Sequence, residues 1–286
     1  MDLALKEHIE NALNSTVINT TPVSGGDISQ AFKIFTKTDR FFCKYHPGTN
    51  GFLMLRSEKE GLEAISTTGT IRVPRVFHLG SLNNGGVLLM EYIEAKSPSD
   101  KDMACFGRDL AALHKVSSDT YGWNSDNYIG SLDQKNIPHA TWPNFYAENR
   151  LLPQLILATD RGYLSKEEVP ERSALLESIN KHCNIHKPSL IHGDLWGGNY
   201  LIDEHGVPFL IDPSISYADP GMDLAMSKLF GGFSSHFYDA YAENSPTPIP
   251  SQAVTELYQL YYLLVHLNLF GESYAPAVRR ILKRYF

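Results

Sequence analysis

Cysteine is scarce in this sequence. Cys43, Cys105 and Cys183 are three in 286 residues, an odd number at wide spacing. They form neither a disulfide framework nor a zinc ligand set, and they fit a reducing compartment. Positive charge is also in deficit: 25 Lys and Arg face 32 Asp and Glu, a formal net charge of -7. That sign argues against a chain that neutralises many nucleic-acid phosphates. Long apolar runs are missing too. LYQLYYLLVHLNLF at 257–270 is the longest, and Gln259, His266 and Asn268 break it. It falls short of the roughly 20 residues that cross a bilayer. The opening MDLALKEHIENAL is charged throughout, unlike a signal peptide, so the expected location is the cytoplasm. Neither the P-loop pattern GxxxxGK[ST] nor the dinucleotide fingerprint GxGxxG occurs, and no repeat or heptad is visible.

What remains is a chain with 43% hydrophobic and 20% charged residues, enough apolar surface to fold without staples. At about 150 residues per domain it allows one large domain or two packed lobes. Residues 3–14 place Leu3, Leu5, Ile9, Ala12 and Leu13 on one side of a helix. The period then changes to two. AFKIFTKTDRFFCKY reads as an antiparallel hairpin, and IRVPRVFHLG and GGVLLMEYI as two further strands. Between them, 55–67 reads as a helix with Leu55, Leu62 and Ile65 inward. From about residue 94, at AKSPSD, helical spacing takes over: 102–117, 144–160, 171–183 and 252–285 all favour helix. YLI and PFLI flank the turn DEHG and suggest one more hairpin. The expected division is a sheet-rich lobe at 1–93 and a larger helical lobe at 94–286, an α+β class.

The chemistry concentrates in His192-Gly193-Asp194-Leu195-Trp196-Gly197-Gly198-Asn199, followed by Ile211-Asp212-Pro213. Asp194 and Asn199 are five residues apart, the interval between the base and the metal-binding asparagine of a kinase catalytic loop. Asp212 lies at the far end of the hairpin, where it is expected to face Asn199 across a metal. One carboxylate is needed to receive a hydroxyl proton, and the other, with the amide, to hold Mg²⁺ against phosphate oxygens. Lys44 in FFCKY is expected to point toward a cleft, with Glu58 on the next helix as its partner and Glu60 and Glu63 as competitors. Gly25 and Gly26 in SGGDIS allow main-chain N–H groups to approach phosphate, or form a plain hairpin turn. Met90, Glu91 and Tyr92 join the lobes and are candidates for an adenine contact, against the alternative of a simple edge strand. His192 reads best as a buried imidazole that fixes the loop, and Asp223 as a structural support for it. Trp196 is either a wall of the acceptor site or core packing. Asp219 orients that wall or attracts a substrate amine. Phe230 and Phe233 in FGGF either close a pocket or surround a helix end.

With these residues in view, the chain resembles the fructosamine kinases, or ketosamine-3-kinases, within the kinase-like phosphotransferases that include aminoglycoside and choline kinases. SGGDIS, FCK, LRSEKEGL, RVPRVFHLG, LLMEYI, LAALH, HGDLWGGN, IDP, ADPGMDLAM, FGGF and YQLYYLLVHLNLFG carry the likeness along the whole chain. The tryptophan in HGDLWGGN and the HLNLFG helix point to the ketosamine branch. Pro220 and Gly221 stand where many relatives carry bulkier or charged residues. The resemblance implies a bilobal protein-kinase-like fold and ATP-dependent phosphorylation of the 3-hydroxyl of a ketosamine, with ribulosamine or erythrulosamine adducts ahead of fructosamine, in deglycation. It assigns Lys44 to the nucleotide phosphates, Glu58 to orienting it, Asp194 as base, and Asn199 and Asp212 to magnesium. Small-molecule ketosamines or glycated lysines on proteins are the expected substrates, and a monomer the expected state. An aminoglycoside or choline kinase, and a silent nucleotide-binding module, are the alternatives.

Overall fold

The computed structural model describes residues 1–23, 29–183, 187–245 and 247–286. Its first helix, α1 (Leu3–Leu13), starts where the Asp2 carboxylate accepts from the Leu5 amide at 2.8 Å and ends at Asn14 in the left-handed region. Leu5 and Ile9 are buried as the spacing requires, whereas Leu3 is exposed.

Five strands follow: β1 (Asn19–Val23), β2 (Gln30–Phe35), β3 (Arg40–His46), β4 (Val76–Leu82) and β5 (Gly85–Glu91), with α2 (Gly51–Thr67) inserted after β3. They form one antiparallel sheet in the order β1-β2-β3-β5-β4. Strand alternation sorts the side chains onto two faces. Cys43, Val87 and Leu89 pack with Leu5 and Ile9 of α1; Phe42, Leu88 and Met90 pack with Leu55 and Leu62 of α2. Lys44, between Cys43 and Tyr45, therefore falls on the α2 face.

Packing divides the chain into two units: Met1–Asp102 with Gly198–Pro213, and Met103–Gly197 with Ser214–Phe286. The first unit thus runs past the break read at 93/94 and takes back a segment from much later in the chain. That segment is the expected hairpin, Tyr200–Ile202 against Pro208–Leu210. Leu210 N donates to Arg72 O, and Lys96 N to Ile202 O, both at 2.9 Å.

In the second unit, α3 (Asp100–Leu113) begins at the boundary and buries Met103, Phe106, Leu110, Leu113 and the following His114. The helix Gln252–Phe270 runs through a core that includes Leu257, Leu260, Leu264 and Leu267. The helix expected over 252–285 is broken: Gly271, at φ 92°, ends one helix before Ala275–Tyr285 begins. The 144–160 helix also departs from expectation, since Tyr146–Leu151 is a π-helical segment that ends just before Pro153, which lacks an N–H. The three-residue strand pairs at 127–134 and 189–191/216–218, and the helices Gly221–Leu229 and Ser235–Asn244, were not separated by sequence spacing.

Candidate active site

In the first unit, three sequence-predicted residues come together. Lys44 Nζ donates to Glu58 Oε1 at 2.8 Å and also contacts the Asp212 carboxylate. The two competitors are engaged elsewhere on α2: Glu60 pairs with Arg56 at 3.6 Å and Glu63 with Lys59 at 2.7 Å, each four residues away. Helical phase explains the choice. Glu58 lies between Leu55 and Leu62 on the face turned to the sheet, where Lys44 also points.

The Lys44 and Glu58 side chains are each 13% exposed, while Asp212 is 38% exposed. The pair is therefore shielded and the second carboxylate is open to a ligand. Asp212 sits at φ 55°, a left-handed conformation uncommon for a residue with a side chain. Strained backbone of this kind at the end of a hairpin points to a positional demand on the carboxylate. Ile211 N donates to Asn199 O at 3.1 Å, which ties the two ends of the hairpin and holds buried Asn199 next to the strand leading to Asp212.

Met90 packs into the α2-side core and is 3% exposed. Glu91 exchanges bonds with Arg75, whose amide donates to Glu91 Oε2 at 3.2 Å, and Tyr92 lies under the Lys33 ammonium at 3.9 Å from the ring centroid. Gly25 and Gly26 lie outside the described residues.

The second unit holds the loop 192–197. Asp223 is fully buried and accepts from His192 N at 2.8 Å, Gly193 N at 2.8 Å and His114 Nε2 at 3.1 Å. Tyr241 Oη completes the relay at 2.7 Å from His114 Nδ1. Burial alone pushes the Asp223 carboxyl up; the hydrogen bond and charge of His114, the charge of His192 and the Gly193 amide outweigh it and hold the group below the usual carboxylate range. The loop is locked from its other side as well, because Tyr262 Oη donates to Gly193 O at 3.1 Å. Gly193 has φ 85°, and a Cβ there would stand 2.0 Å from Ser214 O, so no other residue fits.

His192 is buried, and its Nδ1 accepts from the Asp194 amide at 3.2 Å. It fixes the backbone that carries Asp194, whose side chain is half-buried. Trp196 is 41% exposed, a large ring held at the surface two residues beyond. Asp219 is buried two residues before the helix Gly221–Leu229 and accepts from Gly221 N at 2.7 Å. Phe233 packs with tilted rings against Phe106 and Phe237, whereas Phe230 is exposed.

Sequence reasoning missed His114, Tyr241 and Tyr262. His114 was visible in the helical spacing of 102–117, directly after Leu113, but a histidine in an apolar pattern gives no sign of the carboxylate it will meet.

The chain matches the fructosamine kinase family model over residues 1–286. It belongs to the fructosamine kinase family. It is 38% identical over 276 residues to a probable ketoamine kinase of Enterococcus faecium, covering 96% of each chain. It is 35% identical over 274 residues to the chloroplastic protein-ribulosamine 3-kinase of Oryza sativa subsp. japonica, covering 94% of this chain and 79% of that one. A crystal structure from Thermobifida fusca, provisionally assigned as a fructosamine-3-kinase, superposes with a TM-score of 0.85 at 29% identity over 98% and 97% of the two chains. The choline kinase LicA of Streptococcus pneumoniae shares the fold at a TM-score of 0.59 and 18% identity, over 98% and 96% of the chains. This family member therefore has the kinase-like α+β fold expected from its sequence.

Proposed function

We propose that this family member is an ATP-dependent kinase that phosphorylates the 3-hydroxyl of a ketosamine, with ribulosamine or erythrulosamine adducts preferred over fructosamine. The observation that carries the reading is the Lys44–Glu58–Asp212 trio, the cation and two carboxylates that phosphoryl transfer requires, in a chain whose relatives are named ketoamine and ribulosamine kinases. Among the described residues no helix is long and apolar enough to cross a membrane. A cytoplasmic monomer acting on small ketosamines or glycated lysines completes the proposal.

Each residue has a role that follows from its chemistry. Glu58 holds the Lys44 ammonium in one orientation, so that it donates to nucleotide phosphate oxygens without first being ordered by them. Asp194 accepts the proton of the acceptor hydroxyl as that oxygen attacks the terminal phosphorus and the bond to the ADP oxygen breaks. Its amide, held by His192 and through it by Asp223, keeps the carboxylate from turning away. Trp196 presents an apolar face to the sugar, and Asp219 orients that wall. Glu91 and Tyr92 offer the backbone beyond buried Met90 to the adenine, and glycine at positions 25 and 26 lets main-chain N–H groups approach phosphate oxygens.

The donor set also suits magnesium. Asn199 and Asp212 supply the hard oxygen donors that Mg²⁺ prefers, and the Asp212 carboxylate already attracts a cation, the Lys44 ammonium. Bound there, Mg²⁺ supplies charge neutralisation for the phosphate oxygens.

A parallel ATP-dependent assay of ribulosyl-, erythrulosyl- and fructosyl-lysine, choline and aminoglycosides, with the phosphorylated position read by NMR, tests the reading. Transfer to the 3-hydroxyl of a ketosamine is expected. Turnover confined to choline or an aminoglycoside, or nucleotide binding with no acceptor modified under any metal condition, overturns it.

A further inference from the structure

The first unit carries a second pair of ligand-type side chains, unrelated to Lys44. His8 lies near the middle of α1, between buried Leu5 and Ile9, and His78 lies on β4. Their Nε2 atoms approach to 3.1 Å, with ring centroids 5.2 Å apart and planes inclined at 57°. The two nitrogens meet over Gly80, two residues along β4 on the same face as His78. A Cβ at that position would lie 2.7 Å from His8 Nε2 and 2.6 Å from His78 Nε2. The missing side chain is what lets both imidazoles turn their Nε2 atoms to one point. Both residues are partly exposed, so that point is reachable from solvent.

Two readings compete for a pair of imidazoles facing each other. In one, a neutral ring donates Nε2–H to the lone pair of the other. In the other, both lone pairs bind the same cation. The separation accommodates both: 3.1 Å is an ordinary hydrogen-bond distance, and two nitrogens so spaced, each at the metal–imidazole distance of about 2.05 Å, subtend an angle of about 100° at a metal, between the octahedral and tetrahedral values. The rings come from elements separated by 70 residues in sequence, so chelation would clip α1 to the sheet edge. Water completes the coordination shell of such an ion. Imidazole selects late transition metals over Mg²⁺ and Ca²⁺, which keeps this site distinct from any magnesium held by carboxylates.

We propose that His8 and His78 form a two-histidine chelate for a divalent late-transition-metal ion, zinc, nickel or copper, in the space left open by Gly80.

The test uses the full chain and the metals alone. Calorimetric titration with NiCl₂ is expected to show one Ni²⁺ per chain, with affinity falling on the order of tenfold or more in His8→Gln and in His78→Gln, because each leaves a single imidazole. Gly80→Ala keeps both imidazoles but pushes their tips apart and is expected to weaken binding too. Thermal unfolding in excess Ni²⁺ is expected to rise by about 2–4 °C in the wild type and to stay unchanged in the two Gln variants, since the ion binds only the folded pair. Copper provides a measurement that needs no variant: the Cu²⁺ paramagnetic resonance spectrum of the wild type is expected to show coupling to two equivalent nitrogens. Equal nickel affinity in wild type and both Gln variants, or a copper spectrum with one nitrogen or none, overturns the proposal and leaves an ordinary histidine–histidine hydrogen bond. Excess Mg²⁺ is expected not to compete; displacement of nickel by Mg²⁺ would also overturn it.

Discussion

Two carboxylates, one from each unit, are treated in opposite ways. Asp212 is more than a third exposed and shares an ammonium with Glu58, whereas Asp223 is sealed from solvent and bonded to two amides and an imidazole. The first arrangement has capacity left for a ligand. The second has every oxygen committed within the protein, so its contribution is rigidity. A charge that must meet phosphate has to stay reachable, while a charge that only positions a loop is strongest where water cannot screen it.

The sharpest separation comes from the residue the sealed network serves. Asp194→Asn is expected to lower kcat by about 10²–10⁴-fold with ATP affinity nearly intact, because it removes the proton acceptor and little else. A loss confined to ATP affinity in a binding titration would count against Asp194 as base. Asp223→Ala should act through stability instead: leaving His114 and two amides unmatched in the core is expected to cost about 3–5 kcal/mol, measured by denaturant unfolding. A stable variant with unchanged unfolding would break the comparison. At the open site, Glu58→Gln is expected to lower kcat/KM for ATP by about tenfold while the unfolding midpoint hardly moves, since the exchange keeps the shape and loses only the orienting charge.

Acid gives the smallest effect. Because the Asp223 carboxyl is held below the usual range, it stabilises the fold at pH values above its unfolded-state pKa, and that contribution is lost as pH falls through its lower folded value. The stability gap between wild type and Asp223→Asn should therefore be constant near neutrality and close below about pH 4. A gap that widens on acidification would reverse the assigned direction.

Much of this was legible in the residues. Period-two alternation located β2, β3 and β5, and with them the direction of Lys44; helical phase put Leu55, Leu62 and Ile65 inside, and the HGD…N…D spacing marked the loop and hairpin. Glu58 was legible as the partner of Lys44 but not to the exclusion of Glu60 and Glu63, because α2 carries acids on several faces and the sheet behind it selects among them. His114, Tyr241 and Tyr262 were hidden for a related reason. Their partners are 69 to 127 residues distant in sequence, and no local pattern encodes a contact of that range. The break at Gly271 was missed because apolar residues on both sides continue the helical rhythm, while the π segment changes the rhythm only by one residue.

The hairpin 198–213 has a consequence for how the molecule is made. On the ribosome, Arg72 and Lys96 emerge long before the strands that bond to them through Leu210 and Ile202. The first 102 residues can form their sheet early but wait, with those backbone groups open, until nearly three quarters of the chain has been synthesised. Asp212, the last component to join Lys44 and Glu58, arrives with the same segment, so a nascent or truncated chain ending at Asp102 holds the lysine pair without the carboxylate that completes it.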